Sequence, residues 1–237
     1  MNKRKILSLA LGLCMVAILA VGGTLAYFTD TDTQTNTFTA GKVGINLDEA
    51  VVKADENDNL VADGDKRTED AQSYKLHPNM TITKDPTITV DADSDNAYVA
   101  AVVTVKGNIY DLIGVEGYDN IDITKLASGG LVSETSEQKT DWNGLSMVYE
   151  TENSVIYQVA DKANNTWTLY VFVKPEKVAG AKTVLFDTLT IPESWNNTEM
   201  ALINNMTIKV DAYAAQVDGF ADCFDAMTTA FDTVFAF

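Results

Sequence analysis

Histidine is scarce in this chain of 237 residues, and its scarcity narrows the chemistry that the protein can perform. His77 is the only histidine, and it precedes Pro78 in a predicted turn. A zinc hydrolase needs about three protein ligands, commonly including two histidines on one helical turn. A serine triad needs a histidine as its base. The chain has no His-Glu-x-x-His sequence, so we expect a protein that is not an enzyme.

Cysteine is almost absent as well. Cys14 lies in an apolar leader and Cys223 lies near the C-terminus. Once the leader is removed, one thiol remains, and an intramolecular disulfide is excluded. This usage is compatible with export from a Gram-positive cell. We expect Cys223 to be a small buried apolar residue rather than a redox or cross-linking residue.

Basic residues are few. The chain has 17 Lys and Arg against 34 Asp and Glu, for a formal net charge of -17. Such a charge repels nucleic acids and anionic membranes, because phosphate contacts need positive side chains. The composition therefore predicts no nucleic-acid partner. It suits a soluble protein of the cell surface or of an extracellular matrix.

The longest apolar run lies at the N-terminus. A basic start, Met1–Lys5, precedes the apolar residues Ile6–Val21, and small residues follow up to Ala26. This order is typical of a signal peptide, and it predicts a signal helix over residues 1–26 with cleavage between Ala26 and Tyr27. The alternative is an uncleaved transmembrane anchor, because the run is long enough to span a bilayer. The small residues at its end favour cleavage, so we expect membrane contact only through the uncleaved leader.

Period-two patterns in the N-terminal half predict strands. Alternation over residues 43–47 indicates a half-buried strand, and residues 82–90 indicate a second one, whose middle Pro86 limits to an edge position or a bulge. The continuous β-branched run Tyr98–Val105 predicts a central strand. Between the first two strands, the acidic stretch Asp48–Asp70 predicts a loop.

The remaining chain adds more strand signals than helix signals. Asn143-Gly144 predicts a hairpin turn, and a short helix is predicted around Ile121–Leu126. Four further strands are predicted, two of them forming a hairpin, at Ser154–Val159, Thr166–Val173, Thr183–Ile191 and Thr207–Ala215. Short strands without helices between them favour an antiparallel, jelly-roll-like β-sandwich. The pattern therefore predicts one mainly β domain over residues 41–219.

The last 18 residues change period, to steps of three and four. This spacing predicts an amphipathic helix over residues 220–237. We expect it to pack on the sandwich rather than to dock a partner. Its apolar face consists of Phe220, Phe224, Met227, Phe231, Val234 and Phe235.

Two acidic turns are weak candidates for Ca²⁺. The first carries Asp91, Asp93 and Asp95, and the second spans residues 55–59. Both resemble the first half of an EF-hand loop, but they lack its glycine at position six and its glutamate at position twelve. Solvated acidic turns are the favoured interpretation. Weak Ca²⁺ binding of another kind is the alternative, and we expect no other cofactor.

Several motifs resemble the TasA/camelysin family of exported proteins. The junction Gly23–Asp30 is similar to that of proteins cut by a SipW-type signal peptidase. The segments Asn36–Val43, Lys75–Pro78, Lys84–Val90 and Asp95–Val99 resemble family motifs, with Asn79 in place of the usual glycine. The stretch Ala212–Phe220 is similar to the family's C-terminal end. The match is poor between about residues 106 and 200.

The resemblance implies a structural function. In proteins of this kind, the segment that signal-peptide cleavage exposes inserts as a strand into a neighbouring subunit and builds a fibre. Residues 27–40 would be that donor strand here, with Tyr27, Phe28, Thr37, Phe38 and Ala40 as its characteristic residues. The alternatives are a disordered N-terminus and a strand that pairs within its own domain.

The resemblance also implies location and partners. We expect a protein secreted to the cell surface or biofilm matrix of a Gram-positive bacterium. Its partners would be copies of itself, other matrix or surface proteins, and a SipW-type signal peptidase. A monomeric adhesin or accessory subunit is the alternative. A camelysin-like metallopeptidase is a further one.

Overall fold

A computed structural model of the protein describes residues 42–108, 127–128, 130–131, 137–139 and 147–235. The signal helix and the candidate donor strand 27–40 lie outside the described residues. So do the short helix around Ile121–Leu126 and the hairpin turn at Asn143-Gly144. None of the helices within the described ranges is long and apolar enough to cross a membrane.

Strands are the main regular structure of the described residues. Two short helices, α1 (Asn197–Leu202) and α2 (Cys223–Ala230), accompany them. The strands are β1 (Ile45–Ala54), β2 (Leu60–Thr68), β3 (Thr81–Thr83), β4 (Thr87–Val90), β5 (Ala97–Lys106), β6 (Ala127–Ser128), β7 (Glu137–Lys139), β8 (Met147–Glu150), β9 (Ser154–Asp161), β10 (Thr166–Val173), β11 (Lys182–Val184), β12 (Thr188–Thr190) and β13 (Thr207–Gln216).

The strands form two sheets. One has seven strands in the order β11-β4-β1-β2-β3-β12-β6, and the other has six in the order β13-β5-β10-β9-β8-β7. The described pairings are antiparallel except for a parallel contact between β2 and β3, where Leu60 lies opposite Ile82. The prediction of a mainly β fold is confirmed, with one mixed sheet. The jelly-roll connectivity stays a prediction.

The main hydrophobic core lies between the two sheets. Trp167, Leu169 and Val171 of β10 are buried in the same cluster as Ile82 of β3 and Ile88 of β4. Their alternation along each strand points one set of side chains at the opposing sheet. Burial of this apolar surface is the main stabilising contribution to the fold.

The six-stranded sheet is covered on its second face as well. In β5, Val99 and Val103 belong to the core between the sheets, whereas Ala100 and Val102 belong to a second cluster that contains α2. A strand buried on both faces has no solvent-facing positions to fill with polar residues. This explains the continuous apolar run, and it confirms the predicted central strand.

The C-terminal helix packs on the sheet, as predicted, but it is shorter than predicted. It begins after Asp222, whose carboxylate accepts a hydrogen bond from the backbone N–H of Asp225 at 2.9 Å. Such a cap satisfies an otherwise unpaired helix donor. At the other end Phe231 has a φ of -130°, outside the helical region. The apolar period continues into the following turns, where Phe235 remains buried.

The loop prediction for Asp48–Asp70 was wrong, because this stretch forms the hairpin of β1 and β2. Its acidic character reflects exposure, since most of β2 faces solvent. The turn at residues 55–59 is held by Asp55, whose carboxylate accepts from the backbone N–H groups of Asn57 and Asn59. Ion pairs of Asp63 with Lys53 and Lys66 then offset part of the negative charge of the hairpin.

Two other strand predictions were correct in place but not in continuity. The second predicted strand is divided at Pro86 into β3 and β4, where the sequence predicted an edge position or a bulge. The stretch Thr183–Ile191 is broken in the same way into β11 and β12. Helix α1 was not predicted, although its capping box of Asn196 and Glu199 is a recognisable sequence signal.

Candidate functional site

Strand β13 is the long open edge of the described structure. It has ten residues and pairs with β5 along its whole length. No described strand pairs with its other side. The other terminal strands of the two sheets have only two or three residues. An open edge of this length presents a row of unpaired backbone donors and acceptors to a further strand.

Strand β1 lies beside this edge, in the other sheet. Its first half pairs with β4, and its second half pairs with β2. Leu47 of β1 and Ile208 and Val210 of β13 are only partly buried, although they pack against the main core. The sandwich is therefore incompletely closed on the side where β1 and β13 meet.

A groove of about 260 Å³ occupies this opening. Leu47, Pro86, Ile208 and Val210 supply apolar surface to it. Its charged lining is mostly acidic and consists of Asp48, Glu49, Glu69, Asp70, Lys84 and Lys209. Apolar surface beside unpaired backbone is what an added strand needs, since its backbone can pair while alternate side chains fill the groove.

One wall of the groove contains a shielded ion pair. The Lys84 ammonium bonds the Glu49 carboxylate, and each side chain is only 12% exposed. The same ammonium lies 5.8 Å from the centre of the Tyr74 ring, within cation–π range. Burial, with the neighbouring Glu49 carboxylate, raises the pKa of Tyr74. These contacts fix the charges of this wall.

Gln72 connects the ion pair to an irregularity in β1. The register of β1 with β2 shifts between Ala50 and Val52. Gln72 Nε2 donates to Glu49 Oε1 at 3.0 Å and to the carbonyl oxygen of Ala50 at 2.8 Å. Its Oε1 accepts from the backbone N–H of Val52 at 3.4 Å. The side chain thus replaces ladder bonds that the bulge removes.

Arg67 joins three segments beside the groove. Its Nε donates to Asp48 Oδ1 at 2.5 Å and its Nη1 donates to Asp85 Oδ2 at 2.7 Å. Its Nη2 donates to Thr87 Oγ1 at 2.9 Å. The planar guanidinium can make these bonds simultaneously. It therefore fixes the base of the β1–β2 hairpin to the segment between β3 and β4.

The candidate Ca²⁺ turn is held by contacts within the protein. The Asp93 carboxylate bonds the Lys42 ammonium, which lowers the pKa of Asp93. The backbone N–H of Asp95 donates to the carbonyl of Lys42 at 2.8 Å, and that of Asp91 donates to the carbonyl of Gly44. Across the described ranges, no group of three or more His, Cys, Asp or Glu residues could hold a metal ion. The Ca²⁺ interpretation gains no support from this geometry.

His77 lies in a turn, as predicted. Its Nδ1 is 2.9 Å from the carbonyl oxygen of Pro78, and its Nε2 is 3.3 Å from the carbonyl oxygen of Asp58. Both ring nitrogens therefore face backbone oxygens. The ring ties the tip of the β1–β2 hairpin to the turn that precedes β3.

Cys223 is the first residue of α2 and is buried, as predicted. The residue is only 2% exposed, and its Sγ donates a hydrogen bond to the carbonyl of Val99 at 3.3 Å. Burial raises the pKa of the thiol to about 12. The thiolate is the reactive form of cysteine, so the thiol is strongly deactivated in the folded protein.

We therefore expect Cys223 to react at least about a hundredfold more slowly in the folded mature protein than after unfolding. The measurement is the rate of Ellman's reagent at mildly alkaline pH, with and without guanidinium chloride. Equal rates in the two conditions would contradict the buried position of the thiol.

The predicted cleavage and polymerisation residues cannot be placed. Ala26, Tyr27, Phe28, Thr37, Phe38 and Ala40 lie outside the described residues. Lys42 is the first described residue, and its carbonyl accepts a hydrogen bond from the backbone N–H of Asp95. The backbone N–H of Val217, just after β13, donates to the carbonyl of the neighbouring Asn96. The start of β1 and the end of β13 are therefore at the same end of the sandwich.

A protein-family comparison finds a match in the N-terminal part of the chain. The model described as camelysin metallo-endopeptidase matches residues 3–85. No curated protein and no solved structure matches the chain. The described residues, with His77 facing two carbonyls, do not fit the metal centre that this description implies. Over residues 3–85 the chain is therefore similar to the camelysin family, which includes TasA, and the resemblance drawn from its motifs is confirmed at that level.

Proposed function

We propose that this protein is a secreted structural protein of the cell surface or biofilm matrix of a Gram-positive bacterium. Its subunits assemble into fibres when cleavage between Ala26 and Tyr27 frees residues 27–40, which insert as a strand into the next subunit. The observation that carries the proposal is the open edge of β13 beside a partly apolar groove. The family match supports the assignment at a coarser level.

The physical basis is β-augmentation. A strand added at an open edge gains main-chain hydrogen bonds, and its alternate side chains fill the neighbouring groove. The partner is then another copy of the same chain, and head-to-tail contacts that do not close generate a filament. Other matrix or surface proteins with a similar strand would be incorporated in the same way. The SipW-type signal peptidase controls the supply of free strands.

Deletion of residues 27–40 is expected to abolish filaments while leaving the domain folded. The physical reason is that the donor is lost and the sandwich is intact. The measurement is negative-stain electron microscopy of the mature protein that starts at Tyr27, beside the deletion variant, at matched rising concentrations. Circular dichroism melts check that both are folded. Filaments from the deletion variant would overturn the proposal.

The family description favours a second function, that of a metallo-endopeptidase. It predicts casein cleavage that persists through purification to homogeneity and stops when a chelator is added. A monomeric adhesin or accessory subunit predicts neither cleavage nor elongation at any concentration. The same purified mature protein distinguishes all three functions.

A further inference from the structure

The seven-stranded sheet has a narrow junction between β2 and β3. One register pair describes this junction, with Leu60 parallel to and opposite Ile82. The neighbouring pairings, β1 with β2 and β12 with β3, are antiparallel and extend over three or more positions. A sheet opens first where few backbone hydrogen bonds hold it, so the β2–β3 junction depends on contacts made by side chains.

Side chains from both segments reinforce the β2–β3 junction. The backbone N–H of Thr81, at the start of β3, donates to Asn59 Oδ1 at 2.9 Å. One residue earlier in the chain, the carbonyl oxygen of Asp58 lies 3.3 Å from His77 Nε2. The other ring nitrogen, Nδ1, lies 2.9 Å from the carbonyl oxygen of Pro78. The imidazole therefore bridges the tip of the β1–β2 hairpin and the turn before β3.

The backbone conformation on each side of the ring fixes these two carbonyl oxygens. Asp58 has a φ of 60°, and Asn79, which follows Pro78, has a φ of 62°. Asp and Asn tolerate this left-handed conformation better than other residues with side chains, but it still has a cost. Such residues persist only where the surrounding structure holds them. The two oxygens therefore stay directed at the ring.

The charge state of the ring decides how many of these contacts are favourable. A neutral imidazole has one N–H group and one lone pair, whereas the imidazolium has two N–H groups. A carbonyl oxygen only accepts hydrogen bonds, so the neutral ring donates to one oxygen and turns its lone pair toward the other. The imidazolium donates to both oxygens, and a charged donor makes a hydrogen bond about twice as strong as a neutral one.

We propose that His77 is a pH-sensitive latch on the β2–β3 junction, closed when the imidazole is protonated and loosened when it is neutral. Protonation and closure are linked, because the charged ring gains a contact in the closed junction that it lacks in the open one. The stabilisation is therefore present in mild acid. It is lost as the pH rises through the range in which histidine loses its proton, roughly pH 5–8. The latch acts within one subunit and does not depend on fibre assembly.

The charged groups of the two joined segments act in the same direction. On the hairpin tip these are Asp55, Glu56 and Asp58, and on the turn Lys75 lies two positions before the ring. The backbone N–H of Asn57 holds the pKa of Asp55 below its ordinary value, so this carboxylate stays ionised throughout the range. Three carboxylates against one ammonium give the two segments a net negative charge. Such a charge favours a cation between them.

Hydrogen exchange at the junction tests the latch. The measurement is deuterium uptake by mass spectrometry of the mature protein at about pH 5.5 and about pH 8, corrected for the intrinsic exchange rate at each pH. We expect protection of peptides that cover β3 to fall by at least roughly fivefold at the higher pH, because a charge-assisted hydrogen bond is lost. A peptide from β10 reports global opening and serves as the internal control.

Two variants separate the ring from its surroundings. H77Q replaces the imidazole by a side chain that does not titrate, and we expect the β3 peptides to lose their pH dependence. K75Q is the matched control, since it removes a neighbouring exposed charge and leaves the ring in place. We expect K75Q to keep the pH dependence of the wild type. Circular dichroism melts check that each variant is folded.

Every other outcome overturns the latch. A pH dependence in H77Q as large as that of the wild type would assign the effect to other groups. Greater protection at the higher pH would contradict the sign. An equal change in the β3 and β10 peptides of the wild type would mean that the whole domain responds rather than the junction. That comparison within the wild type decides the matter even if H77Q does not fold.

Discussion

Replacing Phe172 with alanine is expected to lower the free energy of unfolding by about 3–5 kcal/mol, the usual cost of removing a large buried aromatic side chain. Phe172 lies on β10 in the cluster beneath α2 and is 2% exposed. Its ring centre is 5.2 Å from those of Phe224 and Phe235, and 5.5 Å from that of Tyr157. The substitution therefore removes the ring around which the helix and the following turns pack.

The measurement is equilibrium denaturation in urea of the mature protein and the variant. Val178→Ala is the matched control, because Val178 is 55% exposed and its truncation leaves no cavity. We expect that control to stay within about 0.5 kcal/mol of wild type. A loss below about 1 kcal/mol for F172A would mean that the C-terminal segment does not cover this face in solution.

Replacing Lys84 with methionine is expected to cost about 3–5 kcal/mol, because it breaks a shielded ion pair from one side. The remaining Glu49 carboxylate is 12% exposed, and it would keep a hydrogen bond from Gln72 Nε2 but no counter-charge in contact with it. Leaving a buried carboxylate without its counter-charge lowers the free energy of unfolding by more than the intact ion pair contributes to it.

The double variant E49M/K84M distinguishes this effect from a general packing defect. With both charges gone, no carboxylate is left unpaired, and Gln72 can still donate to the carbonyl of Ala50. We therefore expect the double variant to be more stable than K84M, a non-additive result typical of contacting residues. K66M is the control, since Lys66 is exposed and its partner Asp63 also contacts Lys53. A double variant less stable than K84M would contradict the argument.

The local sequence pattern was sufficient to predict several secondary-structure elements. The hairpin of β9 and β10 was predicted because both strands alternate and a turn of polar residues separates them. The helix α2 was predicted from the step of its apolar residues, which place one face on the sheet. In these elements each local preference agrees with the tertiary environment.

The β1–β2 hairpin shows where pattern failed. Its acidic residues are typical of a loop. In the structure, however, Arg67 pairs with Asp48 and Asp85, which lie 19 and 18 positions away from it in the sequence. Such partners cannot be identified from composition alone. Pairing with β4 along its first half and with β2 along its second half also satisfies much of the backbone of β1, so the hairpin forms despite weak strand preferences.

The candidate site, too, could be predicted from the sequence only in part. The sequence by itself determined the export signal prediction, the shortage of catalytic histidine and the candidate donor strand 27–40, because composition and pattern depend only on the order of residues. Only the tertiary structure decided that β13 is an open edge among the described strands and that it lies beside β1 and an acidic groove. Strand order and sheet edges depend on contacts between residues far apart in the chain, such as β5 with β13. No local pattern specifies those contacts.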